Sequence, residues 1–278
     1  MMSTEVFWTR VGAYNEATWP ITIAMIVAAA FLTGRVFLRP GARTDTWLKV
    51  FLSFAFAWNG IAFFLVFVRN PISTFAGAPL FIVVSLLFAV DVRAKKTHFR
   101  PPKATWKKAV TLFWLALVFL YPVIGWPLGH VYPKTLLPTF PCPLTVFAIT
   151  LVAAAAPYVD KKVFVLLLPW ALMGLPKCFG ALDCYEDCIL FASGVYGLGE
   201  LIIDLSASAS PGRNLIAIAH PHLVELVDEI GEAAGLGMLD GHRVHYYDQV
   251  DGDHEVQVRD WTGESVDAHV VSSGLVLM

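Results

Sequence analysis

The sequence predicts an all-α membrane helical bundle of about seven transmembrane helices, followed by a small α+β soluble domain. Composition predicts the bundle, because 57% of the 278 residues are apolar and only 15% are charged. Soluble domains are roughly 45–50% apolar and about 25% charged. A change in pattern predicts the second domain, since the apolar runs end near residue 205 and acidic, histidine-containing sequence follows.

The distribution of charge divides the chain near Ser206. Residues 1–203 hold 17 of the 20 lysines and arginines, while residues 204–278 hold 13 of the 22 carboxylates. Such an asymmetry between two parts of a chain is typical of two chemically different regions. We therefore predict a transmembrane bundle over residues 1–205 and a soluble domain over residues 206–278.

Seven stretches approach the length of about 20 mostly apolar residues that a helix needs to cross a bilayer. The shortest is the sixth, which contains a proline, and the seventh contains glycines and carboxylates, so a six-span bundle is the alternative. The predicted spans are residues 19–38, 47–68, 74–92, 108–128, 142–159, 162–177 and 188–205.

Lysine and arginine predict the orientation, because these residues are enriched in cytoplasmic loops. The first, third and fifth connections, with their flanks, carry 13 of them, whereas the second, fourth and sixth carry 3. This places the N-terminus outside the cytoplasm and the C-terminal domain inside it.

The third connection is the most basic part of the chain, and its position beside two spans predicts contact with anionic lipid in the bilayer. Nucleic acid is not the expected partner, since basic runs beside spans commonly serve topology and lipid contact. The residues concerned are Arg93, Lys95, Lys96, Arg100, Lys103, Lys107 and Lys108.

The tail is predicted to fold as one amphipathic helix followed by a three-stranded antiparallel meander. Apolar residues recur at helical spacing over residues 220–234, with Pro221 in the first turn. The strands are predicted at residues 243–249, 254–261 and 265–272. Six histidines lie among carboxylates here, which suits a divalent metal, although a merely solvated acidic surface is the simpler interpretation. They are His220, His222, His242, His245, His254 and His269.

All four cysteines fall on the predicted extracytoplasmic side, where disulfides persist. A bond from Cys178 to Cys188 or to Cys184 would join two antiparallel helices. Cys142 lies between two prolines, and with His130 it is a candidate for a soft-metal or redox site. A purely structural turn is the alternative for this segment.

Few polar residues lie within the predicted spans, and each loses its hydration unless it packs inside the bundle. Asn59, beside Trp58, falls at the middle of the second span, Thr145 near the start of the fifth, and Glu200 in the seventh. These four residues are the predicted ligand-binding set. For Glu200, the alternative is a position at the cytoplasmic end of a shorter span.

Short motifs along the chain resemble an uncharacterised family of bacterial multi-pass membrane proteins, over about residues 7–203. The resemblance implies a helical membrane bundle and brings no known activity, substrate or cofactor. In that family the cysteine is typically followed by Pro, Thr, Thr, whereas Leu144 occupies the first threonine position here. The tail shows no such resemblance. The motifs comprise Tyr14, Asn15, Trp19 and Pro20; Trp58, Asn59 and Gly60; Gly129, His130, Tyr132 and Pro133; Cys142, Pro143 and Thr145.

Three functions fit these features. A small carrier or ligand-binding protein ranks first, with a polar site inside the bundle and Cys142 and His130 at its outer mouth. A non-catalytic subunit or scaffold ranks second, because small residues allow helices to pack closely, within one chain or between copies of it. A membrane thiol oxidoreductase ranks third, since the chain has no CxxC motif. The small residues are Gly194, Gly197 and Gly199. Neither a reaction nor a cofactor follows from the sequence.

Overall fold

The protein is mostly helical, with a small sheet near its C-terminus. The computed structural model describes residues 3–156, 158–179, 182–209, 211–253 and 259–277. The chain divides into two compact units, Met1–Asp204 and Leu205–Met278.

The first unit consists of helices that differ greatly in length. The helices are α1 Thr4–Leu38, α2 Ala42–Trp58, α3 Ala78–Ala94, α4 Thr105–Gly125, α5 Pro141–Ala155, α6 Lys161–Leu172, α7 Gly174–Cys178 and α8 Asp187–Ala209. Helix α2 continues into a π-helical segment, Asn59–Phe67, and a second π-helical turn, Ser73–Gly77, precedes α3. Helix α4 continues into the 3-10 turn Trp126–Leu128.

Within the described residues, four helical segments are long and apolar enough to cross a membrane. They correspond to the first four predicted spans. The fifth predicted span is the shorter apolar helix α5, the sixth is divided between α6 and α7, and the seventh lies within α8. The four segments are Thr4–Leu38, Ala42–Phe67, Ser73–Ala94 and Thr105–Leu128.

Helix α5 lies at the centre of the first unit. Of its 15 residues, 13 are buried, and they cover every face of the helix. A helix that is apolar all round is stable only where neighbours surround it. Its Phe147 packs edge-on against Phe51 of α2 and Phe119 of α4, and a Cβ built on Gly197 of α8 would lie only 2.7 Å from Ile149. Neighbours thus reach α5 from several sides.

The sixth predicted span is broken at a point of close approach to α8. A Cβ on Gly174, at the junction of α6 and α7, would lie 2.6 Å from the backbone oxygen of Asp187 and 2.8 Å from the backbone nitrogen of Phe191. Only glycine fits at such a distance, because interiors are close-packed. The break therefore lies where Gly174 packs against the backbone of the first turns of α8.

The second unit consists of α9 Pro211–Ile230, a sheet, a 3-10 turn Ala268–Val270, and α10 Ser272–Leu277. In the part of the tail that the structure describes, the sheet has three antiparallel strands in the order β1-β2-β3, and Met238 pairs with His245 and Val244 with Val266. The strands are β1 Ala234–Asp240, β2 Arg243–Val250 and β3 Ser265–Asp267.

The predicted meander and the sheet of the described residues differ in their members. Strand β1 was not predicted, because Gly235 and Gly237 interrupt it and glycine is depleted in strands. The predicted second strand lies mostly at residues 254–258, outside the described residues, and the third ends at Asp267. The helix begins at Pro211, so Pro221 lies inside α9 and not in its first turn. Pro221 has no N–H to donate to the carbonyl of Ala217, and because both residues are exposed, water can bond that oxygen.

Candidate functional site

Buried charged and polar side chains meet at one end of the first unit, which we call the Cys142 end. It is defined by Cys142, Lys177, Glu186 and Asp187. Pro141 occupies the first turn of α5, where a missing N–H costs nothing, and it places Cys142 at the start of that helix. Asp187 begins α8, where a carboxylate is favoured by the helix dipole.

Asp187 is the hub of this cluster. Its side chain is 1% exposed, and it accepts hydrogen bonds from the Cys142 thiol at 3.2 Å and from the Tyr121 hydroxyl at 3.4 Å. Lys177 Nζ lies 3.8 Å from the carboxylate, 3.5 Å from Cys142 Sγ and 4.0 Å from the centre of the Trp170 ring. The cation thus neutralises a carboxylate that would otherwise be buried as an uncompensated charge.

Glu186 forms a second pair beside the first, with the imidazole Nδ1 of His130. The His130 ring stacks on Trp8 of α1 with ring centres 3.8 Å apart, and Trp8 Nε1 donates to the backbone oxygen of Leu182 at 3.2 Å. Gly125 makes room, since a Cβ there would lie 2.5 Å from the bound glutamate oxygen. The other oxygen of Glu186 is buried and has no hydrogen-bond partner in the residues that the structure describes.

A cleft of about 290 Å³ opens beside this pair. Its walls are mostly apolar, and two of its polar lining residues are His130 and Thr135. The Thr135 hydroxyl is buried and lacks a hydrogen-bond partner among the described residues. Asn15 of α1 fixes the backbone of this segment by donating to the oxygens of Pro133 and Thr135 at 2.6 and 2.9 Å. The lining residues are Pro122, Val123, Trp126, His130, Val131, Tyr132, Thr135 and Leu137.

The predicted disulfide is present: Cys178, at the end of α7, is bonded to Cys188 in the first turn of α8. Cys142 and Cys184 are free. Burial, and next the neighbouring Asp187 and Cys142, raise the pKa of the Cys184 thiol well above its ordinary value. This thiol therefore stays protonated at neutral pH.

The predicted metal sites gain no support. In the described part of the chain, no three or more His, Cys, Asp or Glu residues are grouped so as to hold a metal ion. Cys142 and His130 each bind a carboxylate, from Asp187 and Glu186 respectively. In the tail, His220 pairs with Asp248 at 2.7 Å, while His254 lies outside the described residues.

The four predicted ligand-binding residues have separate partners. Asn59 donates to the backbone oxygens of Ala55 and Thr139, both at 2.9 Å, and Trp58 Nε1 donates to the Tyr14 hydroxyl at 2.8 Å. The other two are Thr145 and Glu200. Thr145 donates to its own helix at Pro141, and Glu200 accepts from Lys107 Nζ at 2.9 Å. Their contacts do not join them in a single site.

Glu200 belongs to a seam between α4 and α8. Lys107 binds Glu200, the Trp114 and Tyr196 rings stack with centres 5.9 Å apart, and Tyr121 donates to Asp187. The α4 members, Lys107, Trp114 and Tyr121, are seven residues apart, the period that keeps one helix face on a neighbour. Position 107 meets position 200 while 121 meets 187, so the two helices run antiparallel.

Another set of buried charges lies on α2, α3 and the basic connection. Lys49 and Asp91 are both buried and lie 3.0 Å apart. Asp91 also accepts from the backbone nitrogens of Lys96 and Thr97, at 2.7 and 3.1 Å. Asp45 binds Arg100 at 2.9 Å and the backbone nitrogen of Phe99 at 3.1 Å, and His98 Nδ1 lies 3.2 Å from it. Two aspartates thus hold the basic connection in a defined conformation.

These carboxylates and those of the Cys142 end were not among the predicted site residues. Lys177 was expected only as a charge of the sixth connection, and no role was predicted for Glu186 or Asp187. One signal was available: two consecutive carboxylates stand between Cys184 and Cys188, directly before an apolar run. Carboxylates at such a border are costly unless they are paired.

Fold and site together define a class: a bundle of apolar helices with buried charge pairs among its helix ends. The chain belongs to the family of unknown function DUF6064, which matches residues 4–208. This agrees with the resemblance to an uncharacterised family found in the sequence. Residues 208–278 are similar to the C-terminal region of bacterial IclR transcriptional regulators, a resemblance that the sequence motifs did not indicate. No curated protein matches the chain, and no solved structure does.

Proposed function

We propose that this chain is a multi-pass membrane protein that binds a small molecule at the Cys142 end of its bundle. One observation carries the proposal: His130, which pairs with the buried Glu186, lines a cleft there together with Thr135, whose buried hydroxyl has no hydrogen-bond partner among the described residues. Buried polar groups are nearly always hydrogen-bonded, so such a group at a cleft indicates that a ligand or water completes its bonding.

Four apolar helical segments support the membrane assignment. Together with α5, the pair α6 and α7, and α8, they complete the proposed seven spans. Helix α8 has 23 residues, or about 35 Å at 1.5 Å per residue, which exceeds a hydrocarbon core of roughly 30 Å. An odd number of spans places the two termini on opposite sides.

In the proposed orientation the Cys142 end faces outside and the tail lies in the cytoplasm. The excess of lysine and arginine in the odd connections supports this orientation. The disulfide at the Cys142 end supports it as well, because disulfides persist in oxidising compartments. The similarity of the tail to part of a transcriptional regulator gives independent support, since transcription is a cytoplasmic process in bacteria.

The basic connection is proposed to contact anionic lipid on the cytoplasmic side. Arg93, Lys95, Lys103 and Lys108 are exposed, and none of them forms an ion pair with the described carboxylates. Arg100 and Lys107, by contrast, are engaged by Asp45 and Glu200. The unpaired cations beside α3 and α4 are thus available to phosphate headgroups.

The other candidate functions have less support. A carrier needs a polar path, whereas Asn59, Thr145 and Glu200 are engaged in separate contacts. A scaffold needs small-residue faces that are free for a partner, whereas Gly194 and Gly197 are used within the chain. A thiol oxidoreductase needs a reactive thiolate, and the raised pKa of Cys184 disfavours one there.

Mass spectrometry of the protein purified in native lipid discs tests the proposal. We expect a retained small molecule in the wild type and its loss in Thr135→Val, which removes the hydroxyl while keeping the shape. Thr150→Val is the matched control, because the Thr150 hydroxyl is buried but bound to Val146 of its own helix. Equal retention by both variants, or a wild type that neither retains a molecule nor binds an added one, would contradict the proposal.

A further inference from the structure

We infer that the cleft at the Cys142 end takes a neutral ring compound of the quinone or quinol class. This inference rests on the proposed function and narrows its ligand. None of the cleft's lining residues is Lys, Arg, Asp or Glu, and most are apolar. A ligand with a full charge would be desolvated there without a counterion in contact, so the chemistry of the walls selects an uncharged one.

Two polar side chains on the walls determine which hydrogen-bonding groups the ligand must carry. The Thr135 side chain is buried, with the residue 4% exposed, and its hydroxyl is without a partner in the described structure. It can donate to a ring carbonyl. His130 Nδ1 is engaged by Glu186, which leaves Nε2 for a ligand; with the proton on Nδ1, Nε2 accepts from a ring hydroxyl. The quinol form meets both requirements, because one ring hydroxyl can accept from Thr135 while another donates to His130 Nε2. The quinone form meets the first of them, since its carbonyl accepts from Thr135.

Aromatic side chains and the size of the cleft favour a ring over a lipid chain. Trp126 and Tyr132 line the cleft and are exposed, so their faces are available for stacking. The cleft volume of about 290 Å³ lies just below the ligand-pocket range of roughly 300–1,000 Å³, which suits a single substituted ring. Trp and Tyr concentrate at headgroup level, where a membrane-soluble ring arrives from the bilayer.

The test measures binding of ubiquinone-1, a benzoquinone with one isoprenoid unit, to the protein in lipid nanodiscs by calorimetric titration. The matched probe is the same prenylated benzene ring without its oxygens. Wild type and Thr150→Val are expected to bind ubiquinone-1 saturably and to prefer it to the matched probe. In Thr135→Val and Tyr132→Leu the dissociation constant is expected to rise at least about tenfold. Empty nanodiscs correct for partitioning into lipid.

The outcomes separate this inference from the proposed function. Equal affinity in wild type and Thr135→Val, or no preference over the oxygen-free ring, overturns the ligand class. A different molecule that wild type retains in mass spectrometry and Thr135→Val loses, with no ubiquinone-1 binding, overturns the class and leaves the proposed function standing. Absence of both a retained molecule and ubiquinone-1 binding overturns the two together.

Discussion

Asp187 shows how one buried carboxylate organises its surroundings. It receives a thiol, a phenol and an ammonium group from three different helices, α5, α4 and α7. The sequence predicted the disulfide beside it, because Cys178 and Cys188 flank a short connection between apolar runs. It did not predict Asp187 itself, since a carboxylate next to a loop is solvated in most proteins and only tertiary packing buries it.

The pair between Asp187 and Lys177 gives a prediction at this scale. Asp187→Asn leaves Lys177 as an unpaired cation in a buried site, so we expect a loss of stability on the order of 3 kcal/mol. Lys177→Met combined with Asp187→Asn removes both charges and should recover most of that loss. Thermal unfolding in detergent, followed by circular dichroism, measures both variants. A single variant as stable as the wild type would show that the pair contributes nothing.

Among the elements, α8 contacts α4, α5 and α6 of the first unit. It meets α4 along the seam from Glu200 to Asp187, and it meets α6 and α5 through glycines. Hydrophobic length alone predicted the first four helices, whose apolar runs are long. It did not predict the break between α6 and α7, although Gly174 and Pro176, two poor helix formers, stand at that point.

The glycines of α8 give the prediction for this scale. A Cβ on Gly197 would lie 2.7 Å from Ile149 Cγ2 and 3.1 Å from the Phe164 ring, whereas a Cβ on Gly199 meets no described atom within 4 Å. We expect Gly197→Ala to destabilise the protein by about 1–3 kcal/mol through overpacking. Gly199→Ala should be neutral or stabilising by up to about 1 kcal/mol, because alanine favours the helix. Melting temperatures compare the two, and equal shifts would argue against the close packing.

As a whole molecule, the chain joins a strongly apolar unit to an acidic one. Composition was enough to predict this division, because the excess of apolar residues and the change in charge near residue 205 are properties of long stretches. The arrangement inside the tail was less predictable. The sheet uses Ala234–Asp240, whose glycines break the alternation, and so a pattern-based assignment missed that strand.

Orientation is the prediction for the whole molecule. A cysteine introduced at Ser272, in the first turn of α10, should resist an impermeant maleimide on intact cells and react after lysis. Tyr132→Cys is the control, since this exposed residue lies at the Cys142 end and should react on intact cells. The free native cysteines, Cys142 and Cys184, are replaced by serine in both. Labelling of Ser272→Cys on intact cells would reverse the proposed orientation.

The central position of α5 has a consequence for how substitutions act on this protein. In the proposed membrane setting, α5 leaves lipid and not water when it packs, so its 13 buried residues gain little from the hydrophobic effect. Their stabilisation comes from van der Waals packing against neighbouring side chains, whose shapes they fit better than lipid tails do. Exchanging Ile149 for leucine keeps the hydrophobicity of the segment and changes the shape of the side chain. Mutational tolerance along α5 should therefore follow side-chain shape more closely than any hydrophobicity scale.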